Sequence, residues 1–170
     1  MRTKNAMQLK ARISNMAKEA GIPAQAMMQS YLLERLLERL AESPWRDNVV
    51  IKGGVLISSL VGVGSRTTMD LDTTVRGFDL THESAERAFR EIAAVQADDD
   101  WEFVFDRTED IRKTDDYPGI RVHLKANYAP MSAPLTVDVT TGDRITPEAV
   151  EYSYPLLFGE GEITLMAYPV

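Results

Sequence analysis

Residues 48–75 read NVVIKGGVLISSLVGVGSRTTMDLDTTV, and the order of elements within this stretch decides the fold. Asn48-Val49-Val50-Ile51 is a short apolar, β-branched run bounded by polar residues, which predicts a buried strand. Lys52-Gly53-Gly54 then opens onto an apolar run, 55–61, expected to be helical. Gly62 and Gly64 mark a loop, and 67–75 is again rich in β-branched residues, so a second strand is expected there. In Thr68-Met69-Asp70-Leu71-Asp72 a single apolar residue separates two carboxylates. On a strand both therefore point to one face, with Met69 and Leu71 on the other.

Upstream, the pattern changes to a helical one. Leu9, Ile13, Met16, Ala17 and Ala20 recur at helical spacing, and Gly21 followed by Pro23 predicts a stop and a restart. From 24 to 41, Met27, Met28, Tyr31, Leu32, Leu36 and Leu40 form an apolar stripe between Glu34, Arg35, Glu38 and Arg39, as in a helix with one solvated face. Ser43, Pro44 and Trp45 close this preface. Residues 1–46 are thus expected as a helical segment packed on a core that occupies 47–170.

Downstream, Thr81 is a candidate N-cap for a helix through Ala94 with Phe89, Ile92 and Ala93 inward. Asp98-Asp99-Asp100 reads as a solvated turn. A strand at 101–106, a polar loop, a half-exposed strand at 120–128 and a partner at 135–140 across a Pro-bearing turn are expected, with one more strand near 162–166. The class that emerges is α+β: a small mixed β-sheet flanked by helices, with an N-terminal helical segment.

Composition narrows the chemistry. The 170 residues contain no cysteine and two histidines, His82 and His123, far apart in sequence. Disulfides, thiolate metal sites and a cysteine nucleophile are excluded, and hard oxygen ligands favour Mg²⁺ or Mn²⁺ over zinc. A net charge of −7 argues against a general nucleic-acid binder. That charge is uneven, because residues 1–46 carry a net +4 and the remainder a net −11. The basic segment reads either as solvated helix faces or as a phosphate-contacting arm. No stretch has the make-up of a signal peptide or a membrane span, so a soluble cytoplasmic protein is expected.

The acidic pair at Asp70 and Asp72 repels itself on a partly buried sheet unless a cation lies between the two groups. A third carboxylate, Asp138, sits amid valines in Leu135-Thr136-Val137-Asp138-Val139, where a charge needs a partner, either a metal or an arginine. If its strand lies beside the first, Asp70, Asp72 and Asp138 converge as ligands for Mg²⁺ (or Mn²⁺). Gly53 and Gly54 at a helix mouth suit phosphate, because absent side chains let oxygens reach free backbone N–H groups. Lys52, Ser65, Arg66 and Thr68 add charge and hydroxyl donors to the same rim, completing a candidate nucleotide-binding set. A metal-dependent hydrolase would use similar carboxylates, but no histidine cluster supports it.

Lys52-Gly53-Gly54, Ser65-Arg66-x-Thr68-x-Asp70-x-Asp72 and Val137-Asp138-Val139 together resemble the AbiE-type (AbiEii/AbiGii) nucleotidyltransferase toxins of type IV toxin–antitoxin systems, within the polymerase β-like nucleotidyltransferase superfamily. Gln8-Leu9-Lys10-Ala11-Arg12 and Leu33-Glu34-Arg35-Leu36-Leu37 are similar to stretches that precede the glycine pair in one branch of that family. The resemblance implies the nucleotidyltransferase fold and transfer of a nucleotide from an NTP onto an acceptor, tRNA or a protein hydroxyl, in abortive infection. It implies a cognate antitoxin as partner and no membrane. By motif, Asp70, Asp72 and Asp138 map to the catalytic, metal-binding carboxylates, and Thr68 to a hydroxyl that is serine in many relatives. Relatives continue beyond the position of Tyr168-Pro169 into a lysine-bearing helix and a further helical region. The expectation is therefore a truncated piece or natural fragment, and the alternative function is an inactive module of the same fold that binds nucleotide or a partner protein without turnover.

Overall fold

A computed structural model of the chain describes residues 2–52, 70–114, 117–141, 149–156, 158, 159 and 161–167. The expected helix at 55–61 and the rim residues Gly53, Gly54, Ser65, Arg66 and Thr68 lie outside them, as do Asp115, Asp116 and Asp143. The described elements are three helices and seven strands.

Helix α1 (Ala6–Ala20) begins where the Asn5 side chain accepts the Gln8 backbone N–H and ends at Gly21, whose φ of 71° is left-handed. That backbone is cheap only for glycine, and the turn lets the Ile22 N–H reach back to the Ala17 carbonyl at 3.0 Å. Ala6, Leu9, Ile13 and Ala17 form its buried stripe. Helix α2 (Ala24–Glu42) is buried along most of its length and packs against α1, against helix α3 (His82–Ala93) and against the last strand. The boundaries of both N-terminal helices agree with the periodicity. Thr81 caps α3 as expected, in a reciprocal box: Ser84 N–H donates to Thr81 Oγ1 at 3.0 Å and Thr81 N–H to Ser84 Oγ at 2.8 Å.

The strands are β1 (Val49–Ile51), β2 (Asp70–Val75), β3 (Glu102–Thr114), β4 (Tyr117–Tyr128), β5 (Met131–Thr140), β6 (Val150–Pro155) and β7 (Glu162–Ala167). They form one mixed sheet in the order β3-β4-β5-β2-β1-β7-β6, so β2, which carries the paired carboxylates, is its central strand. The β2–β5 and β1–β7 pairs are parallel and the others antiparallel. Leu71, Phe103, Phe105, Val122, Leu124, Leu135, Val137 and Val139 pack with the three helices in one apolar core. Their alternate neighbours on β2, β4 and β5 are polar and share the other face.

The edge strands differ from expectation. The polar loop expected after 106 is instead the second half of β3, and β6 has no counterpart in the sequence reading. Both strands lie at sheet edges, where one or both faces are wet, and the apolar alternation that betrays a strand is weak there.

A second difference lies in the charges. Arg35 and Arg39, expected on a solvated helix face, are 1% and 3% exposed, and the Asp99 side chain, expected in a solvated turn, is fully buried. Arg39 donates to both Asp99 oxygens at 2.8 Å and to the Trp101 carbonyl at 3.0 Å, and lies over the Phe103 ring at 4.4 Å. Arg35 bonds Glu38 and approaches Asp99 at 3.6 Å. Burial works to raise the Asp99 pKa, but hydrogen bonds and charge from Arg39, the Trp101 N–H and the Arg35 charge outweigh it and hold the carboxyl below its ordinary range. These arginines are therefore neither a solvated face nor a phosphate-contacting arm. Beside them, burial pushes the Tyr31 hydroxyl up to about 12, while that hydroxyl accepts the Trp101 indole N–H at 3.0 Å.

Candidate functional site

The β2–β5 register carries the site. Asp70 stands opposite Thr136, Asp72 opposite Asp138 and Thr74 opposite Thr140, so the paired carboxylates and the third one occupy the same face of adjacent parallel strands. Neighbouring strands lie about 5 Å apart, which is within reach of a shared cation. Only the backbone of Asp70 is described. Its two-residue offset from Asp72 places it on the same face, one step along β2.

Asp72 is exposed, whereas Asp138 is 4% exposed between the core residues Val137 and Val139. Local bonds lock the strand pair at this point. Thr73 Oγ1 donates to the Asp138 backbone carbonyl at 3.1 Å, and Thr140 Oγ1 lies 3.2 Å from the Thr73 carbonyl, to which it donates. Lys52, immediately after β1, donates its backbone N–H to the Asp72 carbonyl at 2.9 Å and its ammonium to Thr140 Oγ1 at 2.9 Å. The structure thus brings Lys52, Asp72 and Asp138 together on one face.

Continuing across the sheet, Asp138 is in register with Arg121 on β4, and Arg121 with Glu109 on β3. A single row therefore reads Lys52, Asp72, Asp138, Arg121, Glu109. The Arg121 guanidinium grips Asp138 with both arms, Nε to Oδ1 at 2.8 Å and Nη2 to Oδ2 at 3.2 Å. Arg121 is rooted on β4, on the far side of β5 from β2. Glu109 lies 3.9 Å from Arg121 and 2.7 Å from His123 Nε2. The His123 hydrogen bond lowers the Glu109 pKa against the opposing effect of desolvation, helped by charge from His123, Arg121 and Arg107.

Sequence reasoning assigned no role to Arg121, Glu109 or Thr140. It allowed an arginine as a partner for Asp138, but only the pairing of β4 with β5 says which one. His82 bridges Thr108 and Asp110, each at 2.7 Å, and His123 bonds Glu109, so neither histidine faces the carboxylate pair as a ligand.

Among the described residues, which leave out the Asp70 side chain, no group of three or more His, Cys, Asp or Glu side chains has the arrangement of a metal site. The donor set that is present, two hard carboxylates in register on one face with one of them open to solvent, fits a divalent cation of the magnesium type.

The sequence of this chain matches, over residues 35–170, the family model described as nucleotidyl transferase AbiEii toxin, type IV TA system. The chain belongs to that family. Both β2 and β5, with all five residues of the charged row, lie inside the matched region of this AbiEii family member. A comparison with curated proteins finds no match. Two solved structures from Helicobacter pylori are similar. JHP933 is 15% identical, with a TM-score of 0.44, covering 86% of this chain and 53% of the other. A protein provisionally described as a nucleotidyltransferase is 15% identical, with a TM-score of 0.45, covering 88% and 56%. This chain therefore spans about half the length of the solved chains it resembles.

Proposed function

We propose that the chain carries the nucleotide-transferring site of a nucleotidyltransferase toxin, cytoplasmic and countered by a cognate antitoxin. In this reading it moves a nucleotide from an NTP onto an acceptor hydroxyl, on RNA such as tRNA or on protein, within the nucleotidyltransferase fold. The acceptor oxygen bonds to the α-phosphorus, the bond to the bridging oxygen breaks, and pyrophosphate leaves. The carrying observation is the in-register parallel pairing of Asp72 with Asp138 on the central strands, inside the region that matches the family.

Asp70, Asp72 and Asp138 would hold Mg²⁺ (or Mn²⁺), which when bound supplies positive charge to the triphosphate and to the attacking hydroxyl. Lys52, oriented by Thr140, provides a fixed positive charge beside the carboxylates. Gly53 and Gly54 would receive phosphate oxygens on backbone N–H groups, with Ser65, Arg66 and Thr68 completing the rim. No helix among the described residues is long and apolar enough to cross a membrane.

The test is incubation of the chain with Mg²⁺, each labelled NTP in turn, and total cellular RNA and protein. Labelling of a discrete acceptor that disappears in Asp72→Asn and on chelation supports the proposal. The alternative, a module that binds nucleotide or a partner without turnover, draws on the grip of Arg121 on Asp138. Metal-dependent NTP binding by calorimetry with no label transferred to any acceptor selects it over catalysis.

A further inference from the structure

The row across the sheet places a cation between two anions in a way the proposed chemistry does not by itself require. Arg121 holds Asp138 at 2.8 and 3.2 Å while its Nη1 lies 3.9 Å from Glu109 Oε1, and both carboxylates are its in-register neighbours on the flanking strands. Asp138 is buried and Glu109 is half exposed. In the absence of a metal, the Arg121 guanidinium offsets the cost of burying the Asp138 carboxylate next to Asp72. A divalent cation arriving at Asp72 and Asp138 reverses the balance. The carboxylate then has a stronger counter-charge, and the guanidinium experiences repulsion from it. Glu109 is the acceptor at hand, because a shift of about 1 Å brings the 3.9 Å approach to hydrogen-bond length.

We propose that Arg121 is a positioning residue shared between two carboxylates: it fixes Asp138 when no divalent cation is present and passes to Glu109 when a cation binds between Asp72 and Asp138. This rests on the metal-site reading above and deepens it by naming what the cation displaces. Arg121 thereby sets the affinity of the site for metal, and Glu109 makes the displacement inexpensive by keeping the guanidinium paired. The two residues must act in opposite directions. A purely structural role for either would weaken metal binding when removed, whichever was changed.

The experiment is Mn²⁺ titration of the full chain followed by electron paramagnetic resonance of free Mn²⁺, which reads occupancy without turnover. Arg121→Gln is expected to bind Mn²⁺ at least about tenfold more tightly, since a full positive charge within a few ångströms of the ion is removed. Glu109→Gln is expected to bind about threefold more weakly, and Arg121→Lys, which keeps the charge, should return affinity toward the wild type. Asp72→Asn should abolish binding in every background. Unchanged or weaker binding by Arg121→Gln, with wild-type binding intact and lost in Asp72→Asn, overturns the role of Arg121 and leaves the metal site standing. Absence of Mn²⁺ binding by the wild type, or binding indifferent to Asp72→Asn, overturns the metal site and this role with it. If Arg121→Gln does not fold, Glu109→Gln decides alone: its surface position spares the core, and unchanged affinity refutes the exchange.

Discussion

Replacing Asp99 with alanine removes the counter-charge from two arginines that are almost wholly inside the protein. The side chain accepts both arms of Arg39 at 2.8 Å and the Trp101 N–H at 2.8 Å, and Arg35 lies 3.6 Å away. Arg35 retains Glu38, so the loss falls chiefly on Arg39, which among the described residues keeps only the carbonyls of Arg35 and Trp101 and the Phe103 ring. Charge-assisted hydrogen bonds contribute roughly 1.5–3 kcal/mol each, and breaking a buried ion pair from one side costs about 3–5 kcal/mol. A cost of about 4 kcal/mol is expected for Asp99→Ala, a large share of the roughly 5–15 kcal/mol that holds a domain together. At about 2–4 °C per kcal/mol for a chain of this size, the melting temperature falls by roughly 8–16 °C. Urea unfolding followed by circular dichroism measures the first figure and a thermal scan the second. The double variant Arg39→Met/Asp99→Leu removes both charges, so it should cost less than its single changes together by about 2 kcal/mol. A loss below about 1 kcal/mol for Asp99→Ala, or strict additivity in the double variant, refutes the view that this pair is mutually dependent. The consequence reaches the site, because Asp99 and Trp101 anchor the start of β3, and β3 carries Glu109 in register with Arg121.

The same carboxylate gives a pH dependence. Its folded pKa lies below the unfolded value, so its contribution is complete above the ordinary aspartate range and is lost as pH falls through the folded pKa. Unfolding free energies measured from neutral pH downward should therefore drop faster for the wild type than for Asp99→Asn below about pH 4; parallel curves would contradict the assignment. Thr81→Ala removes the reciprocal cap of α3 and is expected to destabilise by about 1 kcal/mol, read as a fall in the urea midpoint, whereas Thr81→Ser should restore most of the loss because it keeps the accepting hydroxyl.

Helices α1, α2 and α3 are legible in the sequence because their signals are local. Leu9, Ile13 and Ala17 repeat at one turn, Gly21 ends the first helix and Thr81 opens the third. Strands β2, β4 and β5 are legible for the same reason, each alternating an apolar core face with a polar one. β6 and the second half of β3 are not, since an edge strand does not need an apolar face to be paired. Arg35 and Arg39 show the limit of the periodicity argument. Their spacing suits a solvated helix face, but α2 is enclosed, and what lies on its far side is a carboxylate 60 residues away from Arg39 in the chain.

The sequence by itself determined the three described helices, the inner strands β2, β4 and β5, the shared face of Asp70 and Asp72, and the need of Asp138 for a partner, because side-chain direction on a strand follows from counting residues. Which partner each charge takes was decided only by the tertiary structure. Register between strands is a non-local quantity set by the packing of whole apolar faces, and a slip of one residue would have turned Asp138 away from both Asp72 and Arg121.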